Sequence, residues 1–212
     1  MFIGLFLSYF LLFSLFLIAT ILPKLNVSRE LTRKIVHIGI SNWYLIAMCY
    51  FDNLIAIIPP ITFTILNYLS YRFNIVKGIE RENKKELGTI FYPLALVILV
   101  LFSYGILQKP YIGAIGALVL GYGDGLATII GKRFGKVKLY KNKTLIGSFS
   151  MFIISFVTTF ILLIIYNPVN IIVFSIIVAF TGTICELISS KGFDNLTVPL
   201  ISSFIYYLLI II

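Results

Sequence analysis

The chain has only eight acidic residues, so each can be weighed for the chemistry its position allows. Asp124 stands out. It sits in Gly121-Tyr122-Gly123-Asp124-Gly125, inside an apolar run, eight residues before Lys132. On a helix that separation is about 12 Å. An ionisable group inside a membrane-type segment is costly and marks a functional site by default. Two chemistries suit it: a metal-binding or catalytic carboxylate, or a buried acid paired with Lys or Arg from a neighbouring helix. The clustered glycines, which let backbone bend and approach a ligand, and the cationic stretch that follows favour the first. Glu186 lies near the end of another apolar run, where an acid either serves the same site or snorkels to the interface. Asp194 falls in a short polar segment just beyond it.

Two groups of cations accompany these acids. Glu30, Arg33, Lys34 and His37 fall at i, i+3, i+4 and i+7, one polar stripe that runs into an apolar helix. Such a stripe either clamps an anion or anchors the helix at an interface. Residues 131–148 carry six Lys or Arg, three glycines (Gly131, Gly135, Gly147), Thr144 and Ser148. Cations that neutralise phosphate, amides that cradle it and hydroxyls that bond its oxygens would together suit a polyphosphate. Charge alone favours a topogenic loop that holds anionic lipid, and the Gly and Thr placement counts against that reading without overturning it. The stretch is not a Walker A loop, because G-x-x-x-x-G-K-[ST] does not occur.

The elements that must position these residues are membrane helices. Hydrophobic residues make up 60% of the 212-residue chain and charged residues 12%, with a mean hydropathy of +1.06. A soluble domain has roughly 45–50% and 25%, so an ordinary soluble fold is excluded, as is disorder. Apolar stretches at 2–22, 35–51, 54–71, 89–107, 111–131, 149–166, 171–188 and 196–212 are each near the roughly 20 residues that cross a bilayer as helix. The expected fold is therefore all-α: a polytopic membrane protein of about eight transmembrane helices (or seven). It forms one domain over 1–212, with 131–148 as a loop inside it. The first stretch lacks a basic n-region and a small-residue cleavage site and reads as a retained helix. Pro59-Pro60 should kink or loosen the third. Asp52-Asn53 should turn a tight hairpin between the second and third.

Sixteen of the seventeen Lys and Arg fall in the four segments 23–34, 72–88, 132–148 and 189–195, and only Lys109 lies opposite. The positive-inside rule puts those four segments in the cytosol, in a prokaryotic cell the cytosolic face of the cell membrane, and both termini outside. This also explains a net charge of +9 without nucleic acid as a partner. Cys49 and Cys185 form no C-x-x-C pair, and one histidine cannot complete a Cys/His metal site. Gly121 and Gly125 have the spacing of a helix-packing contact.

In this order the residues resemble the CTP-dependent lipid-alcohol kinases, the family of dolichol kinase, phytol kinase and the CTP-dependent diacylglycerol kinase. The resemblance runs from about residue 29 to 200 and rests on four stretches. These are Arg33-Lys34-Ile35-Val36-His37; Glu86-Leu87-Gly88-Thr89 with Tyr92-Pro93-Leu94; Asp124, Ala127, Gly131, Gly135 and Lys138 to Lys143-Thr144 and Gly147; and Glu186 followed by Gly192-Phe193-Asp194-Asn195 and Pro199. The family's acid before the last loop glycine is Ile146 here, and its Lys-Lys-Thr is Asn142-Lys143-Thr144.

The resemblance implies transfer of a phosphoryl group from CTP, with Mg²⁺, to the hydroxyl of a lipid alcohol of the phytol, polyprenol, dolichol or diacylglycerol class. It assigns nucleotide binding to Gly131, Gly135, Lys136, Lys138, Lys143, Thr144, Gly147 and Ser148. Arg33 and Lys34 become an anion clamp, and Asp124, Asp194 and His37 catalytic residues. Asp124, Asp194 and Glu186 become metal ligands. Phosphatidate cytidylyltransferases share the third stretch but end in a different signature, absent here, and are the alternative. A transporter or flippase of an anionic lipid or metabolite is the rival from another class; its site would lie nearer the midplane.

Overall fold

The computed structural model describes residues 1–73, 75, 87–141, 143–167, 169–190 and 192–211. The expected Lys77, Glu80, Arg81, Glu82, Lys84, Lys85, Glu86, Asn142 and Lys191 lie outside the described residues. Among the described residues the fold is helical, as the composition demands, apart from one two-stranded ribbon. In chain order the helices are α1 (Phe2–Ile21), α2 (Arg29–Ser41), α3 (Trp43–Tyr50), α4 (Ile58–Phe73), α5 (Gly88–Val100), α6 (Pro110–Leu118), α7 (Gly125–Phe134), α8 (Leu145–Tyr166), α9 (Ile171–Ile188) and α10 (Asp194–Leu209). Short π-helical segments continue α5 over Leu101–Ile106 and join α6 to α7 over Val119–Asp124.

Among the described residues, six continuous helical segments are long and apolar enough to cross a membrane: Phe2–Leu25, Leu54–Phe73, Gly88–Ile106, Pro110–Phe134, Leu145–Tyr166 and Ile171–Ile188. The other two expected spans are helical as well. Residues 29–50 break at Asn42 into α2 and α3, and α10 is only 16 residues long. At 13, 8 and 16 residues, each of these helices is shorter than the roughly 20 that cross a bilayer.

Pro110–Phe134 is the central helix: 78% of its most apolar window is buried, against 44% or less in the other five. Small residues allow this, because helices in lipid gain by close backbone packing. A Cβ at Gly121 or Gly125 would strike Ser41 or Ile38 of α2, and one at Gly123 would strike Ser155 and Met151 of α8. The Gly121/Gly125 spacing is thus a packing contact, and the whole glycine cluster around Asp124 is used to seat α2 and α8. Buried polar groups pair across helices: Trp43 Nε1 donates to Ser8 Oγ at 3.0 Å, and Tyr44 and Ser103 hydroxyls bond at 2.7 Å.

Three local expectations change. Pro59-Pro60 do not kink α4; they occupy its first turn after a 3₁₀ turn over Leu54–Ile57, where missing N–H groups cost nothing. The chain reverses at Asp52-Asn53, with Asn53 Oδ1 accepting from Ile55 N at 2.9 Å, but α4 then packs chiefly on α5, with further contacts to α1. The stretch 131–148 is not one loop either. Gly131 belongs to α7, Gly147 and Ser148 belong to α8, and between them β1 (Lys138–Tyr140) pairs antiparallel with β2 (Lys143–Thr144).

Candidate active site

The polar stripe of α2 packs against the segment that carries Asp124. Lys34 Nζ donates to Asp124 Oδ2 at 2.6 Å, and both side chains are at most 3% exposed. His37 Nε2 lies 3.4 Å from the same oxygen, and Thr128 Oγ1, one turn along α7, lies 3.4 Å from Oδ1. One turn earlier in the stripe, Glu30 pairs with Lys132 of α7 at the surface. The i, i+4 and i+7 spacing that put these groups on one face of α2 therefore puts them on one partner helix. Asp124 is the last residue of the π-helical segment, a type of distortion that recurs at functional sites.

His37 is fixed from the other side by Tyr92 of α5. Their rings are 4.3 Å apart, and the Tyr92 hydroxyl donates to the His37 carbonyl at 3.1 Å. Sequence reasoning passed over Tyr92 as part of a motif; its distance of 55 residues from His37 hides the contact.

A second ion pair joins the ribbon to α9: Lys143 on β2 with Glu186, the latter 5% exposed in its side chain. Burial alone would lower the Lys143 pKa. The nearby carboxylates of Asp124 and Glu186 outweigh it and hold the ammonium above its ordinary value. Asp194, buried as the first residue of α10, lies within electrostatic reach of Lys34, Lys143 and Glu186. The three acids and two of the cations thus gather in one cluster from α2, the π-helical segment, β2, α9 and α10. Lys136 and Lys138 stand exposed on the approach to it and on β1.

The loop residues play a different part from an open cradle. A Cβ at Gly131, Gly135 or Gly147 would crowd the Thr144 side chain, so these glycines let α7 and α8 close around it. Thr144 caps α8, its Oγ1 accepting from Gly147 N at 3.2 Å, and Leu145 N bonds Val137 O at 2.9 Å. Two amides at this helix start are therefore already paired. Ser148 Oγ is buried and has no hydrogen-bond partner among the described residues.

Among the described residues, no three His, Cys, Asp or Glu side chains converge as a closed metal cage. That donor set still fits Mg²⁺, which typically takes one or two carboxylates, keeps waters and completes its shell with substrate phosphates.

Beside the cluster lies a cavity of about 460 Å³. Its walls are apolar residues of α1 and α4, among them Leu12, Phe13, Phe16, Phe63 and Leu66. Its inner end is polar: Arg33 and His37 of α2, Thr89 of α5 and Asn195 of α10. No sequence signal announced this space, since it is the gap between two helices 50 residues apart.

Comparison with known proteins adds relatives. The chain is 36% identical over 198 residues to a phytol kinase of Synechocystis sp., covering 89% of this chain and 84% of that protein. It is 32% identical over 210 residues to a probable chloroplastic phytol kinase 1 of Oryza sativa subsp. japonica, and 30% identical over 213 residues to chloroplastic phytol kinase 1 of Arabidopsis thaliana. It spans 65% and 69% of those two longer proteins. No family model matches the chain. No solved structure matches it.

Proposed function

This chain belongs to the lipid-alcohol kinase family of the phytol kinases, and from that premise we propose that it transfers the γ-phosphoryl group of CTP to the hydroxyl of a lipid alcohol. Phytol is the first candidate acceptor, because the relatives are named for it. The observation that carries the reading is the position of His37, which borders the cavity and lies 3.4 Å from the buried Asp124 carboxylate. An acceptor hydroxyl at the cavity's polar end would meet an imidazole with a buried carboxylate 3.4 Å from its Nε2.

The hydroxyl oxygen attacks the γ-phosphorus, the bond from that phosphorus to the β–γ bridging oxygen breaks, and CDP leaves. His37 takes the hydroxyl proton, and Asp124 stabilises the imidazolium that forms, the division of labour of a base and its orienting carboxylate. Arg33, Lys34 and Lys143 neutralise charge on the transferring group, with Lys136 and Lys138 drawing the nucleotide in. Such transfers need positioning and charge neutralisation more than covalent chemistry. Lys143 would exchange Glu186 for phosphate. Ser148 Oγ offers a hydroxyl at the start of α8, where a helix N-terminus favours an anion. One or two of the carboxylates Asp124, Asp194 and Glu186 would hold Mg²⁺. When bound with the nucleotide, the ion would neutralise phosphate charge. The site is read as facing the cytosol, a reading that the bias of the basic segments supports.

Purified protein with a panel of nucleoside triphosphates and lipid alcohols tests this. The expected result is CDP and a lipid carrying one new phosphate. Release of pyrophosphate with a CDP-lipid would establish the cytidylyltransferase alternative.

A further inference from the structure

Asn195 has an unusual standing at the polar end of the cavity. It is 3% exposed, and its Nδ2 donates to the Gly88 carbonyl at 2.7 Å. A carbonyl can only accept, so this bond fixes which end of the amide is which. The remaining atom, Oδ1, is buried and has no hydrogen-bond partner among the described residues. A buried acceptor left unpaired is costly, and Oδ1 can be satisfied only by a donor.

The walls say what kind of molecule brings that donor. On α1 the lining runs from Tyr9 to Ala19, ten residues or about 15 Å of helix. That is half of the roughly 30 Å hydrocarbon core, one leaflet. At the far end the Tyr9 and Thr62 hydroxyls bond at 3.1 Å across α1 and α4. Between the two ends Phe13, Phe16 and Leu66 are 60%, 45% and 53% exposed, so the cavity is a groove with its side toward lipid. A chain lying in the leaflet that the groove spans can therefore enter sideways without leaving hydrocarbon. The size falls within the roughly 300–1,000 Å³ typical of pockets that bury one small ligand.

We propose that the groove between α1 and α4 holds the apolar chain of the acceptor alcohol and that Asn195 Oδ1 accepts the hydrogen bond of its hydroxyl, setting the oxygen beside His37. The proposal rests on the kinase reading for its occupant and adds the entry route and a positioning residue for the hydroxyl. Asn195 acts before any proton moves: it selects a molecule with an O–H at the end of a long chain.

The test is binding without nucleotide, on the full chain in membranes. Two photoreactive phytol analogues are used, one with a diazirine in mid-chain and one with it next to the hydroxyl. The mid-chain probe should label peptides from 9–19 and 63–73, and the head probe those around Thr89 and Asn195. Unlabelled phytol should compete about tenfold better than phytyl methyl ether, which keeps the oxygen but has no O–H to donate. Asn195→Ala should abolish that advantage, and Asn195→Asp, which keeps an acceptor oxygen, should retain it. Leu66→Trp, at a lipid-facing wall position, should cut mid-chain labelling several-fold. Labelling that maps to other helices overturns the proposal even if every variant misfolds. So does equal competition by the ether, or an alcohol advantage that survives in Asn195→Ala. Phosphate transfer is scored separately: labelling of the groove with no transfer from any nucleotide would sink the kinase reading and leave the groove, whereas transfer with labelling elsewhere would do the opposite.

Discussion

Replacing Asp124 by Asn separates chemistry from scaffold, because the carboxylate is both the centre of the proposed site and one half of a buried ion pair. Asn keeps the volume and can still accept from Lys34, but the charge is gone. Removing one partner of a buried pair typically costs about 3–5 kcal/mol, since it leaves the other charge uncompensated. Lys34, with 3% of its side chain exposed, has no route to water, although its 3.4 Å contact to the Asp124 carbonyl survives. A loss near about 3 kcal/mol is therefore expected. For a soluble protein of this length that would lower Tm by roughly 6–12 °C. Turnover should fall at least about a hundredfold, the typical contribution of a positioned acid or base. The double variant Lys34→Met/Asp124→Asn removes both charges and should recover most of the lost stability. Its activity should stay as low as the single variant's. Thermal melting of detergent-solubilised protein beside specific activity per folded molecule reads both quantities. A double variant that regains stability together with wild-type turnover would refute the reasoning and leave Lys34–Asp124 as scaffold alone.

Other consequences are simpler. Lys143→Ala should raise the KM for nucleotide about tenfold or more while kcat changes less, because it removes a phosphate partner; steady-state kinetics at saturating alcohol measure it. Gly135→Ala should lower Tm, at a cost of about 1–3 kcal/mol, since the added Cβ strikes the Gly131 carbonyl and the Thr144 side chain. Cysteine placed at Lys138 should be labelled only from the cytosolic side and one at Asn167 only from outside; labelling of both from one side contradicts the expected orientation.

Much of the site was legible because helical spacing is local. Glu30, Arg33, Lys34 and His37 share a face by periodicity alone, and Asp124 announces itself as an acid in an apolar run. The pairing of Lys34 with Asp124 was not legible, since the partners are 90 residues apart and only packing brings them together. The glycines of 131–148 suit a phosphate cradle because glycine permits close approach, but sequence does not say approach by what. Here it is Thr144 and a neighbouring helix. The end of α10 at Leu209 and the break between α2 and α3 at Asn42 were not legible, since apolar runs do not mark where a helix stops. The groove had no signature at all. Several of its lining residues, Phe13, Phe16 and Leu66 among them, also face lipid, and an empty space between apolar helices leaves no mark in the sequence.

The most direct measurement of the central claim is the fate of phosphorus in one reaction. Purified protein is given phytol and CTP labelled either at the γ- or the α-phosphorus, and the lipid fraction is counted. A lipid-alcohol kinase moves the γ label to the lipid and leaves the α label in CDP. Lipid that carries the α label, or lipid with neither label while the protein is folded, would contradict the account.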